Sequence, residues 1–311
     1  MIVSASRRTD IPACHMPWML RRLSEGYALA ANPYRPKQLA RIPLIKGVTD
    51  CIVFWSKNPA PLLKALPEVE GFHIPFYIQF TLTPYGKGLE PGLPDKKALI
   101  RTFRALSEKL GPERAVWRYD PILIGEGLSV ADHLRLFAEM AELLKGFTRR
   151  CTISFLDLYA HIKKPLAGIA RPPDEEECLL LAKGLSETAG ERGIALFTCS
   201  EKLDLSAYGI AHAACIDQKL IESIVGGALS VPKDPGQRPD CGCIRSSDIG
   251  AYDTCPLGCI YCYGSRSRQA ILERMAGSDP RSPLLCGRPG PQHQISEPAF
   301  KSYLSAQLNF D

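Results

Sequence analysis

Short apolar runs rich in β-branched and aromatic residues alternate along this chain with longer stretches whose apolar positions recur at helical spacing. The runs Ile2 to Ala5, Cys51 to Trp55, Phe76 to Leu82, Ala115 to Tyr119, Cys151 to Leu156 and Ile194 to Thr198, with a weaker one at Ile210 to Ala214, are too short for helices and predict strands. Between them Leu99, Phe103, Leu106 and Leu110 keep to one helical face, opened by Pro94-Asp95 and closed by Gly111-Pro112. Val130, Leu134, Phe137, Ala141 and Leu144 do the same after Ser129 with Asp132 three residues on, which reads as a capping box. A third helix follows Pro172-Pro173, with acids 174–177 in its first turn, where the helix dipole favours negative charge.

Strand and helix in alternation predict a parallel sheet, and six or seven such units suit an α/β fold, either an open doubly wound sheet or a (β/α) barrel. The barrel is preferred because the strand runs end on polar residues: Arg7-Arg8-Thr9-Asp10, Ser56-Lys57-Asn58, Thr83 with Tyr85, Arg118 with Asp120, Asp157 with Tyr159, and Cys199-Ser200-Glu201. In a parallel barrel those ends converge on one mouth, where active sites are assembled. Arg118 and Asp120 are the candidate catalytic pair, and Arg7, Arg8, Asp10 and Lys57 are candidates for holding an anionic group of a cofactor or substrate.

The cysteines change the picture most. Of 12 in the chain, Cys241, Cys243, Cys255, Cys259 and Cys262 fall within two dozen residues, and the last three are spaced Cys-x3-Cys-x2-Cys with Tyr261 before the third. Three thiolates on one loop suffice for three irons of a cubane cluster and leave the fourth iron open. Zinc is the competing occupant, since Cys pairs at such spacing also suit a tetrahedral ion. A second group, Cys199, Cys215, Cys241 and Cys243, has the number of thiols for a fully ligated cluster or a zinc ion. Cys199 and Cys215 also read as small buried hydrophobes. Cys14, Cys51, Cys151, Cys178 and Cys286 lack a partner at useful spacing and read as core or surface thiols.

The Cys255 to Cys262 spacing resembles the signature of the radical S-adenosylmethionine (SAM) superfamily. That resemblance implies a four-iron four-sulfur cluster on Cys255, Cys259 and Cys262, SAM on the open iron with Tyr261 against its adenine, and an electron donor such as flavodoxin or ferredoxin. In that superfamily the loop usually follows the first strand; here it lies in the last fifth of the chain. The segment DIGAYD (248–253) predicts one more strand, followed by the Cys loop and a helix over Arg268 to Met275, so the chain reads as a radical SAM-like barrel circularly permuted. The division expected is a barrel body over 1–235, a cysteine-rich unit completing it over 236–275, and an extension over 276–311 closed by a short helix near Pro298 to Leu308. No glycine-rich SAM-contacting strand stands out, since Gly226-Gly227 reads as a helix stop. The late cluster motif, ASRRTDIPA at the start, FWSKNP, WRYDPI and the Cys-Gly-Cys at 241–243 together are similar to a bacterial and archaeal family designated domain of unknown function 1848.

Charge and composition narrow the partners. The net charge of +5 is interspersed, so no basic arm points to nucleic acid, although Arg266, Arg268, Arg274 and Arg281 gather after the cluster motif. A small-molecule substrate is expected rather than nucleic acid. No apolar run reaches the roughly twenty residues of a membrane span, and the start of the chain lacks a signal-peptide core, so a cytoplasmic protein without membrane attachment is expected.

Overall fold

A computed structural model describes residues 1–238 and 241–305. Its organising element is an eight-stranded, all-parallel sheet: β1 (Ile2–Ala5), β2 (Cys51–Ser56), β3 (Phe76–Thr81), β4 (Ala115–Ile122), β5 (Arg150–Phe155), β6 (Ala195–Cys199), β7 (Ala211–Ala213) and β8 (Ser247–Asp248), in the spatial order β7-β6-β5-β4-β3-β2-β1-β8. Strands of this sheet consecutive in sequence are neighbours except at the ends, where β8, the last of the eight, lies beside β1.

The seven strand runs read from the sequence are all present, and α4 (Lys96–Leu110), α5 (Val130–Leu144) and α7 (Glu175–Gly190) start at the expected caps. Asp95 accepts from the Ala98 amide, and Ser129 with Asp132 and Asp174 with Glu177 form reciprocal capping boxes. The remaining helices are α1 (Ile11–Cys14), α2 (Met16–Glu25), α3 (Ala60–Gly71), α6 (Ala160–Leu166), α8 (Gln218–Val225) and α9 (Arg268–Ala276). Gly226, at φ 69°, terminates α8 in the left-handed conformation. No helix among the described residues is long and apolar enough to cross a membrane.

Alternation along each strand separates two cores. On the convex face Phe54, Phe76, Phe80, Trp117 and Ile153 pack with Leu66, Phe103, Phe137 and Leu181 of the helices; Trp117 stacks on Phe137 at 4.8 Å and Phe80 on Phe103 at 5.1 Å. On the concave face Ile2, Val53, Tyr77 and Val116 pack against Ile216, Ile221 and Ile244. The sheet is strongly curled. In a flat sheet four spacings of about 4.8 Å would put β3 about 19 Å from β7, whereas Tyr77 Oη of β3 donates to the carbonyl of Cys215, two residues beyond β7, at 2.6 Å. The ladder nevertheless does not close among the described residues: β7 and β8 are its two edges.

Three expectations are corrected. The DIGAYD strand contracts to Ser247–Asp248; from Ile249 the chain turns away, and the Ile249 amide donates to Ser4 O. Residues 298–305 carry no helix, Leu304 instead bridging to Leu229, and residues 306–308 of the expected helix lie outside the described residues. Between β1 and β2, where no element was expected, strands Tyr27–Ala31 and Gln38–Pro43 pair antiparallel, and Gln294–Ser296 adds a parallel third strand. The tail is tied back to the start, with Trp18 Nε1 donating to Ser282 O and Leu284 O and the N-terminal amine donating to Lys301 O.

Candidate functional site

The carboxyl ends of β1 to β4 and the Cys255 loop meet at one end of the sheet. Asp248 of β8 locks this corner by accepting from Ser4 Oγ at 2.8 Å, Ser6 Oγ at 2.6 Å and the Arg7 amide at 2.9 Å. The Cys loop that follows is pinned on several sides. Thr254 O meets His15 Nε2 at 2.8 Å, Asp253 accepts from the Arg266 and Ser267 amides, the Ile260 amide donates to Leu89 O at 3.1 Å, and Tyr263 Oη donates to Arg7 O. Gly92 donates to Leu257 O at 2.9 Å across an approach so close that a Cβ there would stand 2.4 Å from the same oxygen.

Burial pushes the Cys259 and Cys262 thiols up, and Cys255 lies close enough to disfavour the ionisation of both. A hydrogen bond with Cys14, together with burial, pushes Cys255 well above the usual thiol range. Cys14 has no cysteine partner at useful spacing in the sequence, and the fold brings it to Cys255. The usable signal was Asp10 with Pro12, an N-cap and first-turn proline that start α1 one turn before Cys14.

Beside Cys259 stands a second feature that spacing could not reveal. Glu90, 1% exposed, receives Lys57 Nζ at 2.8 Å, Lys96 Nζ, Thr83 Oγ1 at 3.0 Å and Tyr261 Oη. Burial pushes this carboxyl up, but the two ammonium groups outweigh it and hold it down at about 2. Tyr261 is itself buried, takes a second hydrogen bond from Lys57 at 2.8 Å, and meets Tyr85 edge-on at 5.7 Å. Glu90 lies in a loop between β3 and α4 with no periodic pattern around it, so no local signal marks it.

The other expected residues are placed as follows. Asp10, raised by burial, caps α1 and accepts from Ser56 Oγ and the Lys57 amide, each at 2.7 Å, so it joins the β1 and β2 ends. Arg118 donates from Nε to Asp120 at 3.0 Å and from Nη1 to Cys215 Sγ at 2.8 Å; Asp120 also accepts from Ser154 Oγ. Arg7 and Arg118 flank the Trp55 ring at 5.6 and 5.3 Å. Arg8 has only long polar contacts, Asp248 at 4.0 Å and Gly250 O at 3.5 Å, and lies over the Tyr252 ring at 5.5 Å. Arg266, Arg274 and Arg281 are engaged by Asp253, Tyr252 O and Asp279 within their own stretch of chain. Glu201, raised to about 7 chiefly by burial, accepts from the Phe155 amide at 2.8 Å at the same end of the sheet.

The second cysteine group is brought together. Cys199 Sγ and Cys215 Sγ are 2.8 Å apart, Cys215 hydrogen-bonds to Cys243, and Cys243 to Cys241. Those thiol contacts, with Arg7 nearby, hold Cys243 below the usual thiol range. Among the described residues no group of three or more His, Cys, Asp or Glu side chains is placed so that it could hold a metal ion as it stands. The donor chemistry of both thiol groups suits soft metals, and loading either requires the sulfurs to spread.

Fold and site define the protein as a parallel α/β protein with a cysteine-rich loop at the carboxyl end of its sheet. The chain belongs to the family described as domain of unknown function (DUF1848), whose model matches residues 2–264, a span that includes the Cys255 loop. No curated protein matches it. A solved structure of a "putative alpha-L-fucosidase" from Bacteroides thetaiotaomicron matches at 13% identity over 72% of this chain and 84% of that one; its TM-score of 0.25 carries no argument.

Proposed function

We propose that this is a radical SAM-like iron-sulfur protein in which Cys255, Cys259 and Cys262 hold a four-iron four-sulfur cluster and the mouth of a curled, nearly closed parallel barrel, permuted so that its cluster unit comes last, receives SAM and a small-molecule substrate. The observation that carries the reading is the pairing of β8 in parallel with β1, Val3 opposite Ser247 and Ser4 opposite Asp248. It supports a strand, Cys loop and helix unit beside the first strand, as a permuted barrel requires. When bound, the cluster would supply an electron and an open iron for reductive cleavage of SAM.

This chain's residues would position and shield. Asp253, His15 and Gly92 fix the loop backbone, Cys14 lies against Cys255, and Arg8 is the cation best placed to meet a carboxylate or other anion. Lys57 stays with Glu90 and thereby orients Tyr261. A second reading, a cluster-bearing or redox-sensing protein without SAM cleavage, is favoured by Tyr261, whose hydroxyl is held by Glu90 and Lys57 and whose ring is buried rather than open to a nucleobase. Nucleic acid as substrate has less support, because three of the four arginines after the Cys loop are engaged locally.

Anaerobic reconstitution followed by electron paramagnetic resonance tests the reading. A reduced four-iron signal that changes on adding SAM, with release of 5'-deoxyadenosine, is expected, and loss of the signal in Cys259→Ser. A signal indifferent to SAM with no nucleoside product leaves the second reading; protein that takes up no iron removes both. An electron donor such as flavodoxin or ferredoxin is expected to replace chemical reductant in the first case.

A further inference from the structure

We propose that Cys199, Cys215, Cys241 and Cys243 bind a single zinc ion that clasps the two open edges of the main sheet. The inference does not rest on the reading of the Cys255 loop.

The four residues come from both sides of the break in the ladder. Cys199 ends β6, Cys215 follows β7, and Cys241 and Cys243 precede β8, the opposite edge. Where a closed sheet would have a ladder between β7 and β8, there is one backbone hydrogen bond, from the Ile244 amide to Ile216 O at 3.2 Å, alongside one from the Ile216 amide to Cys243 Sγ at 3.3 Å. The Cys243 segment is braced from behind by antiparallel contacts, the Asp234 amide donating to Cys243 O and the Arg245 amide to Pro232 O, each at 2.9 Å. Gly242 keeps Cys241 and Cys243 on one short bend that lies over residues 213–214, with a built Cβ 3.5 Å from Ala213 O.

The dimensions favour one ion. With metal to sulfur distances of about 2.3 Å, a tetrahedral site places its sulfurs about 3.8 Å apart. The Cys199 and Cys215 sulfurs, 2.8 Å apart, need to spread by only about 1 Å to reach that geometry. An iron-sulfur cubane would force the thiolates considerably further apart, because the cluster body lies between them. Cys215, Cys241 and Cys243 are buried, so the site is closed, as structural zinc sites are.

Charge agrees. Four thiolates around a divalent ion leave a net double negative charge, and a buried charge needs partners. Two guanidinium groups face this spot. Arg118, 4% exposed, donates from Nη1 to Cys215 Sγ at 2.8 Å. Arg7 lies in the electrostatic reach of Cys243 and Cys215, and its Nη2 is buried without a hydrogen-bond partner. Each arginine also has a carboxylate, Asp120 for Arg118 and Asp234 at 3.8 Å for Arg7, and the negative charge of a zinc tetrathiolate would add a partner on the side where Arg118 Nη1 meets Cys215 and Arg7 Nη2 has none.

The test is metal analysis of untagged protein, with cobalt(II) as a spectroscopic probe. Wild type is expected to carry one zinc per chain, to lose it in Cys241→Ser and in Cys243→Ser, and to keep it in Cys178→Ser, whose thiol lies on α7 and is not among the four. A variant lacking Cys255, Cys259 and Cys262 should also keep the zinc, which separates this site from the proposed cluster. Metal-depleted wild type titrated with cobalt(II) should show thiolate charge-transfer bands and the intense ligand-field bands of a tetrahedral site, a readout that does not depend on the variants folding. Wild type that binds neither ion, zinc retained in both serine variants, or iron with sulfide in the variant lacking the Cys255 loop cysteines would each overturn the proposal.

Discussion

Replacing Glu90 with Gln should destabilise this protein by about 3 kcal/mol near neutral pH. The carboxylate is buried at 1% exposure and has four polar neighbours, two of them ammonium groups. Held at about 2 against an ordinary 4.5, it gains roughly 2.5 units, which at about 1.4 kcal/mol per unit gives the stated figure. On the ammonium side burial opposes the same attraction, leaving Lys57 raised but Lys96 lowered. Breaking a buried pair by removing one partner typically costs about 3–5 kcal/mol, which agrees. The sign follows from a depressed folded value: the contribution is fully present above about pH 4.5 and is lost as pH falls toward about 2. Urea unfolding followed by tryptophan fluorescence at several pH values should therefore show a wild-type advantage that narrows from about pH 5 downward. A difference under about 1 kcal/mol at neutral pH, or one independent of pH, would refute the assignment of Glu90 as the charge holding Lys57 and Tyr261.

His133 is buried and neutral: its Nε2 must donate to Leu123 O at 2.8 Å, so Nδ1 accepts from Tyr119 Oη at 2.8 Å, and burial lowers its pKa. The unfolded chain then binds the proton first, so stability should fall below about pH 6.5, and His133→Gln should flatten the pH slope of the melting temperature by one proton; an unchanged slope would exclude it. Gly92→Ala, which sets a Cβ 2.4 Å from Leu257 O, should displace the Cys loop and lower the iron taken up on reconstitution, whereas Gly86→Ala, with nothing near its Cβ, should not. Asp248→Asn should cost about 1–3 kcal/mol through weakened bonds to Ser4, Ser6 and the Arg7 amide, and should speed hydrogen exchange at the Ile249 amide, which donates to Ser4 O. Equal exchange in variant and wild type would count against Asp248 as the clasp between β1 and β8.

The parallel sheet was legible because its signals are local. Phe76 to Thr81 and Ala115 to Ile122 are apolar enough to be buried on both faces, and the intervening helices carry caps and stops in the sequence itself. The antiparallel pair Tyr27–Ala31 and Gln38–Pro43 was not legible, since its partners are half-buried, include Arg41, and owe their position to Gln294–Ser296 some 250 residues on. The collapse of the DIGAYD strand has a comparable cause: Gly250 lies where a Cβ would stand 2.1 Å from Ser6 Oγ, so the chain there is packed on the β1 loop instead of extending along β1. For the site, spacing identified the three loop cysteines, but Cys14 and Glu90 reach them through the fold. Glu90 and Tyr261 are 171 positions apart, and no local pattern links a carboxylate in one loop to a phenol in another.

Arg7 ties the two cysteine groups into one structure. Its carbonyl accepts the hydroxyl of Tyr263, immediately after the last loop cysteine, its amide is fixed by Asp248 of β8, and its guanidinium faces Cys243 and Cys215. A change of charge at the sheet-edge thiols therefore acts on the side chain of the residue whose backbone positions the Cys255 loop. Since that residue lies just after β1 and its clasp, Asp248, lies on β8, the break in the ladder and the candidate cluster site are mechanically adjacent. A rigid joint between the β7 and β8 edges is what would keep the Cys loop in register with the ends of β1 and β2.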